Sequence, residues 1–295
     1  MIIDLEKAKY VNYANNNIKI TNLEGDIKKH CLNDISCIIL SSNRLSISKK
    51  CLSKISEKII PVILTSDCGA AESIIMPLKF HSTQSKILRK QVDKIETEFN
   101  DLLWKDIIKS KIQNQAEVLE LHRNKKQCLL GYMKEVNIGD KENVEAQASK
   151  KYWSFLFENF KRDRFSSDEN KFLNYGYSIL RGIVSKYSLA TGLNPNFGVH
   201  HCNQYNPYPL VDDIMEPFRP SVDLAIRLML NGGIVPDEPL NKNTKGLIFN
   251  FLNYKVIHNN KTYSLKAFIK AYCESIKNSY MKNNMLILKN FIISK

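Results

Sequence analysis

The sequence predicts an α+β protein: a small N-terminal β-rich, sandwich-like domain over residues 1–78, then a larger all-α domain over residues 79–295. Three observations predict it. Short apolar alternations separated by turn residues fill the first segment, the pattern of half-buried strands. From His81 onward the apolar residues recur at a helical period of about 3.6. Pro77 stands where the period changes and sets the domain boundary at residues 77–83.

Strand signals fall at Lys9–Tyr13, Ile18–Thr21, Ile35–Ser41, Ile59–Thr65 and Glu72–Met76. Asn15-Asn16-Asn17 is a turn between the first two, because Asn tolerates left-handed backbone. Asp67-Cys68-Gly69 separates the last two, and Ser46–Lys58 has the period of one short helix. In the second domain, Ile87, Val92, Ile95, Phe99, Leu102, Leu103, Ile107 and Ile108 form an apolar stripe on one long helix. Further helices are expected near Ala116–Lys134, Asn143–Arg162, Glu169–Ala190, Leu210–Leu230 and Thr244–Leu252. Lys255–Ser264 reads as a hairpin turning at Asn259-Asn260, followed by a last helix over Leu265–Phe291.

A chain of 295 residues with 43% hydrophobic side chains can bury a real core. Its mean hydropathy of −0.30 describes a soluble protein. No apolar run is long enough to span a bilayer, and no secretory signal is apparent at the N-terminus. The seven cysteines are scattered and never paired as Cys-x-x-Cys, which argues against a disulfide framework or a structural zinc and for a reduced, cytoplasmic protein. The net charge of +13 suits a polyanionic partner. Enrichment in Lys, Asn and Ile is also what an AT-rich genome yields, so charge alone does not assign nucleic acid.

The segment from Asn194 to Asp223 is the most informative. Turn residues deliver His200 and His201, and a helix then begins near Pro209 and presents Asp212, Asp213 and Glu216. Asp213 and Glu216 are three apart and share a helix face. One imidazole with one or two carboxylates suits Mg²⁺ or Mn²⁺. Acidic residues in a first turn also complement the helix dipole, so residue type does not decide the matter. Pro217 and Pro220 lie inside the same helix, where proline costs about 3 kcal/mol. Aiming Glu216 at a site is a gain that would offset such a kink. Glu145, at another helix start, is a third carboxylate, followed by the small residues Ala146, Ala148 and Ser149.

Four motifs, in order, make the chain recognisable: Val144-Glu145-Ala146-x-Ala148 with Tyr152-Trp153; Phe172-Leu173-Asn174-Tyr175-Gly176-Tyr177-Ser178-Ile179-Leu180-Arg181; Gly192-Leu193-Asn194-Pro195 with Gly198-Val199-His200-His201; and Asp212-Asp213-Ile214-Met215-Glu216-Pro217-Phe218-Arg219-Pro220 with Asp223. Together they resemble the CRISPR-associated adaptation integrases, the catalytic spacer-acquisition subunits, over the whole chain. The ending Asp-Ile-Met-Glu-Pro-Phe-Arg-Pro resembles the type II branch. One departure is Ala146, where the family often has Gly after its glutamate.

The resemblance implies that the all-α domain is catalytic and that Glu145, His201 and Glu216 hold the divalent metal. Asp213 and His200 are auxiliary candidates. It implies phosphoryl transfer, in which a DNA 3′-hydroxyl attacks a phosphodiester of the CRISPR repeat. Arg181 and Arg219, inside the motifs, are the candidate phosphate clamps. Lys86, Arg89 and Lys90 on the first long helix, the cluster Lys161, Arg162 and Arg164, and the tyrosines Tyr152 and Tyr205 are further candidate DNA contacts. Implied partners are double-stranded DNA, as spacer precursor and repeat, a second copy of the chain, and a smaller ferredoxin-like adaptation subunit completing a heterohexamer. The type II effector nuclease and accessory proteins are further candidates. A non-catalytic DNA scaffold and an unrelated metal-dependent nuclease are the competing readings.

Overall fold

Asn15 and Asn16 both take left-handed φ, 49° and 57°, and turn β2 (Ala8–Ala14) back onto β3 (Asn17–Asn22). In the computed structural model, which describes all residues except 43, 67–70, 76, 78–80, 124, 158, 159, 164, 165 and 167, this hairpin is the centre of the first sheet. Its strand order is β4 (Ile27–Cys31), β3, β2, β6 (Ser46–Ile47). A second sheet runs β1 (Ile2–Asp4), β5 (Cys37–Leu40), β7 (Val62–Thr65), β8 (Ala71–Ile75), parallel except for β8. Helix α1 (Lys49–Glu57) joins β6 to β7, and the Ser48 hydroxyl caps it by accepting the Cys51 N–H. The expected turn at Asp67-Cys68-Gly69, Met76, boundary residue 78 and Arg164 lie outside the described residues.

β1, β4 and β6 were not expected. β1 and β6 are only three and two residues long, and β4 is an edge strand whose Ile-Lys-Lys-His sequence has no apolar alternation. The second sheet is buried on both faces. Ile38 and Val62 enter a small core with Val11, Ile18, Cys51 and Ile55, while Cys37, Ile39 and Ile63 face the main core. That double burial explains why β5 and β7 read as continuous apolar runs.

The second part is helical with a small sheet. Its helices are α2 (Gln84–Val92), α3 (Glu98–Arg123), α4 (Gln127–Glu135), α5 (Val144–Leu156), α6 (Glu169–Ala190), α7 (Pro209–Met215), α8 (Arg219–Asn231), α9 (Lys242–Ile248) and α10 (Leu265–Lys282). The single long helix expected from residue 87 is broken. Glu96 takes φ 55° between α2 and α3, and Val92 and Ile95 are left exposed. α3 then runs through Ala116, where a new helix was expected, and α5 stops at Leu156 because Phe157 is extended. The expected helix over residues 210–230 kinks through a 3-10 turn at Glu216–Phe218, which holds Pro217.

The hairpin at residues 255–264 is β9 (Lys255–His258) and β10 (Lys261–Ser264), with Asn259 and Asn260 at positive φ. The last helix does not reach Phe291. Asn283 adopts φ 52° and ends α10, and β11 (Phe291–Ser294) returns to pair antiparallel with β9. A three-stranded sheet is thus added to an otherwise all-α domain. Among the described residues no helix is long and apolar enough to cross a membrane, and the six described cysteines are free thiols.

α6 is the axis of the molecule. Most of its residues are buried and none is exposed, and its glycines set the distances to its neighbours. A Cβ on Gly182 would overlap Ile63 of the second sheet, and one on Gly176 would overlap Val222 Cγ1 of α8. Val222 is branched at Cβ and buried, so it cannot rotate away. We therefore expect Gly176→Ala to destabilise the chain: overpacking of about 1–3 kcal/mol exceeds the gain of about 1 kcal/mol in helix propensity. Urea denaturation checks this, and a midpoint at or above wild type would refute the packing assignment.

Candidate active site

Glu145 is fixed by the start of its helix. Gly139 (φ 74°) and Asn143 (φ 52°) fold the preceding chain so that Asp140 caps α5. Asp140 accepts the Val144 N–H at 2.9 Å and the Glu145 N–H at 3.0 Å. The Ser149 hydroxyl, one turn on, donates to Glu145 Oε1 at 2.9 Å.

The histidines are held by a buried carboxylate. Asp213 is fully buried in α7 and accepts the backbone N–H groups of Val199 (2.6 Å), His200 (3.1 Å) and His201 (3.4 Å). Its Oδ1 also bonds His201 Nδ1. Gly198 is required here, because a Cβ would overlap the His201 carbonyl and press on Asp213. Among the described residues His201 Nε2 has no hydrogen-bond partner. The hydrogen bond to Asp213 raises the His201 pKa above the ordinary imidazole value, with burial opposing it. His200 instead stacks on Trp104, rings 4.3 Å apart and 5° from parallel, and His201 meets the edge of the same indole at 5.7 Å.

Glu216 sits at the α7–α8 kink. Its Oε1 accepts Arg219 Nε at 2.7 Å, and Oε2 pairs with Lys111 Nζ at 2.6 Å. Lys111, buried on α3, also pairs with Glu145 Oε1. Burial alone would raise the Glu216 pKa, but Arg219 and Lys111 overcome it and lower the value to about 2. Burial likewise disfavours the Lys111 ammonium, and the two glutamates more than compensate, raising its pKa.

Glu145, His201 and Glu216 line one cavity of about 440 Å³, together with Trp104, Lys111, Asp140, Lys141 and His200. Two carboxylates and an imidazole are hard-to-borderline donors that suit Mg²⁺ or Mn²⁺. A cation already bridges the carboxylates, and that cation is the Lys111 ammonium. As the side chains stand, no three His, Cys, Asp or Glu among the described residues converge as a ready metal site. The donors fit the ion by chemistry and common cavity, with Lys111 between two of them.

Other candidates are placed differently. Asp213 sits behind His201, its oxygens filled by four hydrogen bonds, so it orients that imidazole and does not itself line the cavity. Tyr152 is fully buried and donates to Asp223 at 3.0 Å, which removes it from contact with DNA. Arg181 is chelated by Asp212, with Nε at 2.8 Å and Nη2 at 2.7 Å. Arg219 is committed to Glu216 and lies over the Tyr177 ring, so neither arginine stands as an unengaged phosphate clamp. Arg162 is bound to Asn170 and Asn174 at 2.7 Å each. Lys86, Arg89 and Lys90 on α2, Lys161, and Tyr205 beyond the histidines are exposed.

Sequence reasoning missed Lys111, Trp104 and Asp140. The signal for Lys111 was present: Trp104, Ile108 and Lys111 recur at spacings of four and three, which puts a lysine on the buried stripe of α3.

The family model described as CRISPR associated protein Cas1 matches residues 3–259. A CRISPR-associated endonuclease Cas1 of Neisseria meningitidis is 31% identical over 266 residues, covering 88% of this chain and 85% of that protein. Among solved structures, a CAS1 protein from Thermotoga maritima superposes with a TM-score of 0.80 at 20% identity, over 98% of this chain and all of that one. A casposase bound to integration product gives 0.79 at 18% identity, over 96% and 91%.

The raised His201 pKa has a consequence in the metal-free protein. The Asp213–His201⁺ interaction contributes stability that is fully present below the unfolded pKa of about 6.5 and is lost as pH rises through the folded value. NMR titration with a chelator present should place the His201 midpoint above that of a free imidazole. Asp213→Asn should return it toward the ordinary value. An unshifted wild-type midpoint would contradict the arrangement.

Proposed function

The chain belongs to the CRISPR-associated Cas1 family, and from that premise we propose that it is a metal-dependent DNA integrase and endonuclease that inserts short foreign fragments as new spacers into a CRISPR array. One observation carries the reading. Glu145 from a helix start, His201 from a loop and Glu216 from a kinked helix junction line a single cavity. The integration product named for the casposase of like fold supports it.

The reaction is transesterification at phosphorus. A DNA 3′-hydroxyl loses its proton and forms a new P–O bond as the bond to the displaced strand breaks, and that strand leaves with its own 3′-hydroxyl. With water as nucleophile the same site hydrolyses DNA. Bound Mg²⁺ or Mn²⁺ would stabilise the charge that builds on the phosphoryl oxygens. The protein's part is preorganisation. Asp213 holds His201 Nδ1 and so presents Nε2 as the donor atom. Arg219 fixes Glu216, and Ser149 with the Asp140 cap fixes Glu145. Lys141 adds a positive charge to the cavity wall.

By the same resemblance the chain works in the cytoplasm on double-stranded DNA, as a homodimer built through residues 1–78 and joined by a smaller ferredoxin-like subunit. The six described cysteines, all free thiols, fit a reducing compartment. The exposed Lys86, Arg89 and Lys90 supply a basic face for the phosphate backbone.

A strand-transfer assay with a supercoiled repeat plasmid and a short duplex donor tests the reading. Glu145→Ala, His201→Ala and Glu216→Ala should each lose activity by about 100-fold or more, as chelator should, because each removes a ligand. His200→Ala should keep most of it. Full activity in His201→Ala together with loss in His200→Ala would reverse the histidine assignment. Affinity for duplex DNA should fall with salt at a log–log slope of about −0.9 per phosphate contacted, and neutralising Lys86, Arg89 and Lys90 together should flatten that slope. A slope unchanged by the triple variant would move the DNA path off α2.

A further inference from the structure

We infer that Lys111 is the resident counter-cation of the metal-free site, that a divalent ion must displace its ammonium to bind, and that Lys111 thereby sets how tightly the ion is held. The inference rests on the metal-binding reading above.

Glu145 and Glu216 come from different helices and meet on one atom, Lys111 Nζ. Nζ engages Glu145 Oε1 and Glu216 Oε2. A divalent ion bridging the two carboxylates needs lone pairs in the same region, so ammonium and ion exclude one another.

Charge counting gives the same answer. Glu145 and Glu216 carry two negative charges, and Lys111 and Arg219 carry two positive ones. The partly buried cluster is balanced. A divalent ion added to all four would leave two uncompensated positive charges beside the nearly buried Glu216, which is strongly unfavourable. One cation has to withdraw.

Arg219 is the wrong one to move. It reaches back three residues to Glu216, and its guanidinium lies 4.8 Å from the centre of the Tyr177 ring. Lys111 is a point charge on a flexible four-carbon chain, and it borders the cavity. Its ammonium can swing into that space and exchange two carboxylates for water.

A purely structural salt bridge makes the opposite prediction. If Lys111 only tied α3, α5 and the α7–α8 kink together, its loss would loosen the site and weaken metal binding.

The test is calorimetric titration of MnCl₂ into the full-length, metal-free chain, with folding checked by circular dichroism. Lys111→Met, which keeps length and removes charge, should bind Mn²⁺ more tightly than wild type by about tenfold or more, the scale of a lost close charge pair. Its metal-free melting temperature should drop and recover with Mn²⁺. Lys111→Arg, which keeps the charge, should stay within about threefold of wild type. Should Lys111→Met not fold without metal, Lys111→Gln supplies the same comparison with a polar head. Equal or weaker Mn²⁺ binding by the neutral variants overturns the inference, as does equal tightening in Lys111→Arg. Wild-type binding that Glu216→Gln abolishes keeps the metal reading intact in either case. If no form binds Mn²⁺, the metal reading fails and the inference falls with it.

Discussion

Two carboxylates at one cavity wall are the constraint around which this molecule is arranged. Glu216 is almost fully buried, and an unpaired carboxylate there would be prohibitively costly. The chain answers with two cations from different directions, Arg219 one helical turn on and Lys111 from the middle of α3. The kink at Pro217 lets the carboxylate meet both. A straight helix over residues 209–231 would carry Glu216 and Arg219 at the same spacing but would not turn the junction toward α3, with which the 3-10 turn is in contact. The proline penalty and the buried charge are two faces of one solution.

The same region handles a second buried acid by the opposite means. Asp223, seven residues beyond Glu216, is almost fully buried and accepts hydrogen bonds from two phenols, Tyr152 and Tyr177. Burial raises its pKa to about 7, against the hydrogen bonds of the two tyrosines. Glu216, among cations, is lowered to about 2. The contrast separates the roles. Glu216 is held as an anion by Arg219 and Lys111. Asp223 is a cross-brace joining α5, α6 and α8 behind the site, and Tyr152 belongs to that brace.

Much of this was legible in the sequence. The period change near residue 80, the extent of α6, the start at Pro209 and the paired asparagines of both hairpins are local signals, and local chemistry decides them. The three ligand candidates came through motifs, and the cavity brings them together. What could not be read depends on partners distant in sequence. Arg181 and Arg219 look like free guanidinium groups in a DNA-binding chain until Asp212 and Glu216 appear beside them. Lys111 looks like one lysine among many until its stripe is seen to be buried. The short strands β1 and β6 exist only because β5 and β2 offer them edges. The helix expected to reach Phe291 ends at Asn283 because β9 has an open edge for β11.

The change of architecture near residue 78 is not a division between cores. Cys37, Ile39, Ile63 and Ile74 of the second sheet belong to the cluster that also contains Leu103, Tyr175 and Phe218. Gly182 brings α6 against that sheet, and Lys245 of α9 pairs with Asp4 and Glu6 at 2.9 Å each. Tyr175, on the motif helix, donates to Asp4 at 2.8 Å. α6 therefore has the sheet on one side and, on another, α7 and α8, which carry Asp213 and Arg219 and flank the turn that holds Glu216. The second sheet is therefore packed directly against the helix on which the site is built, with only well-packed side chains between them.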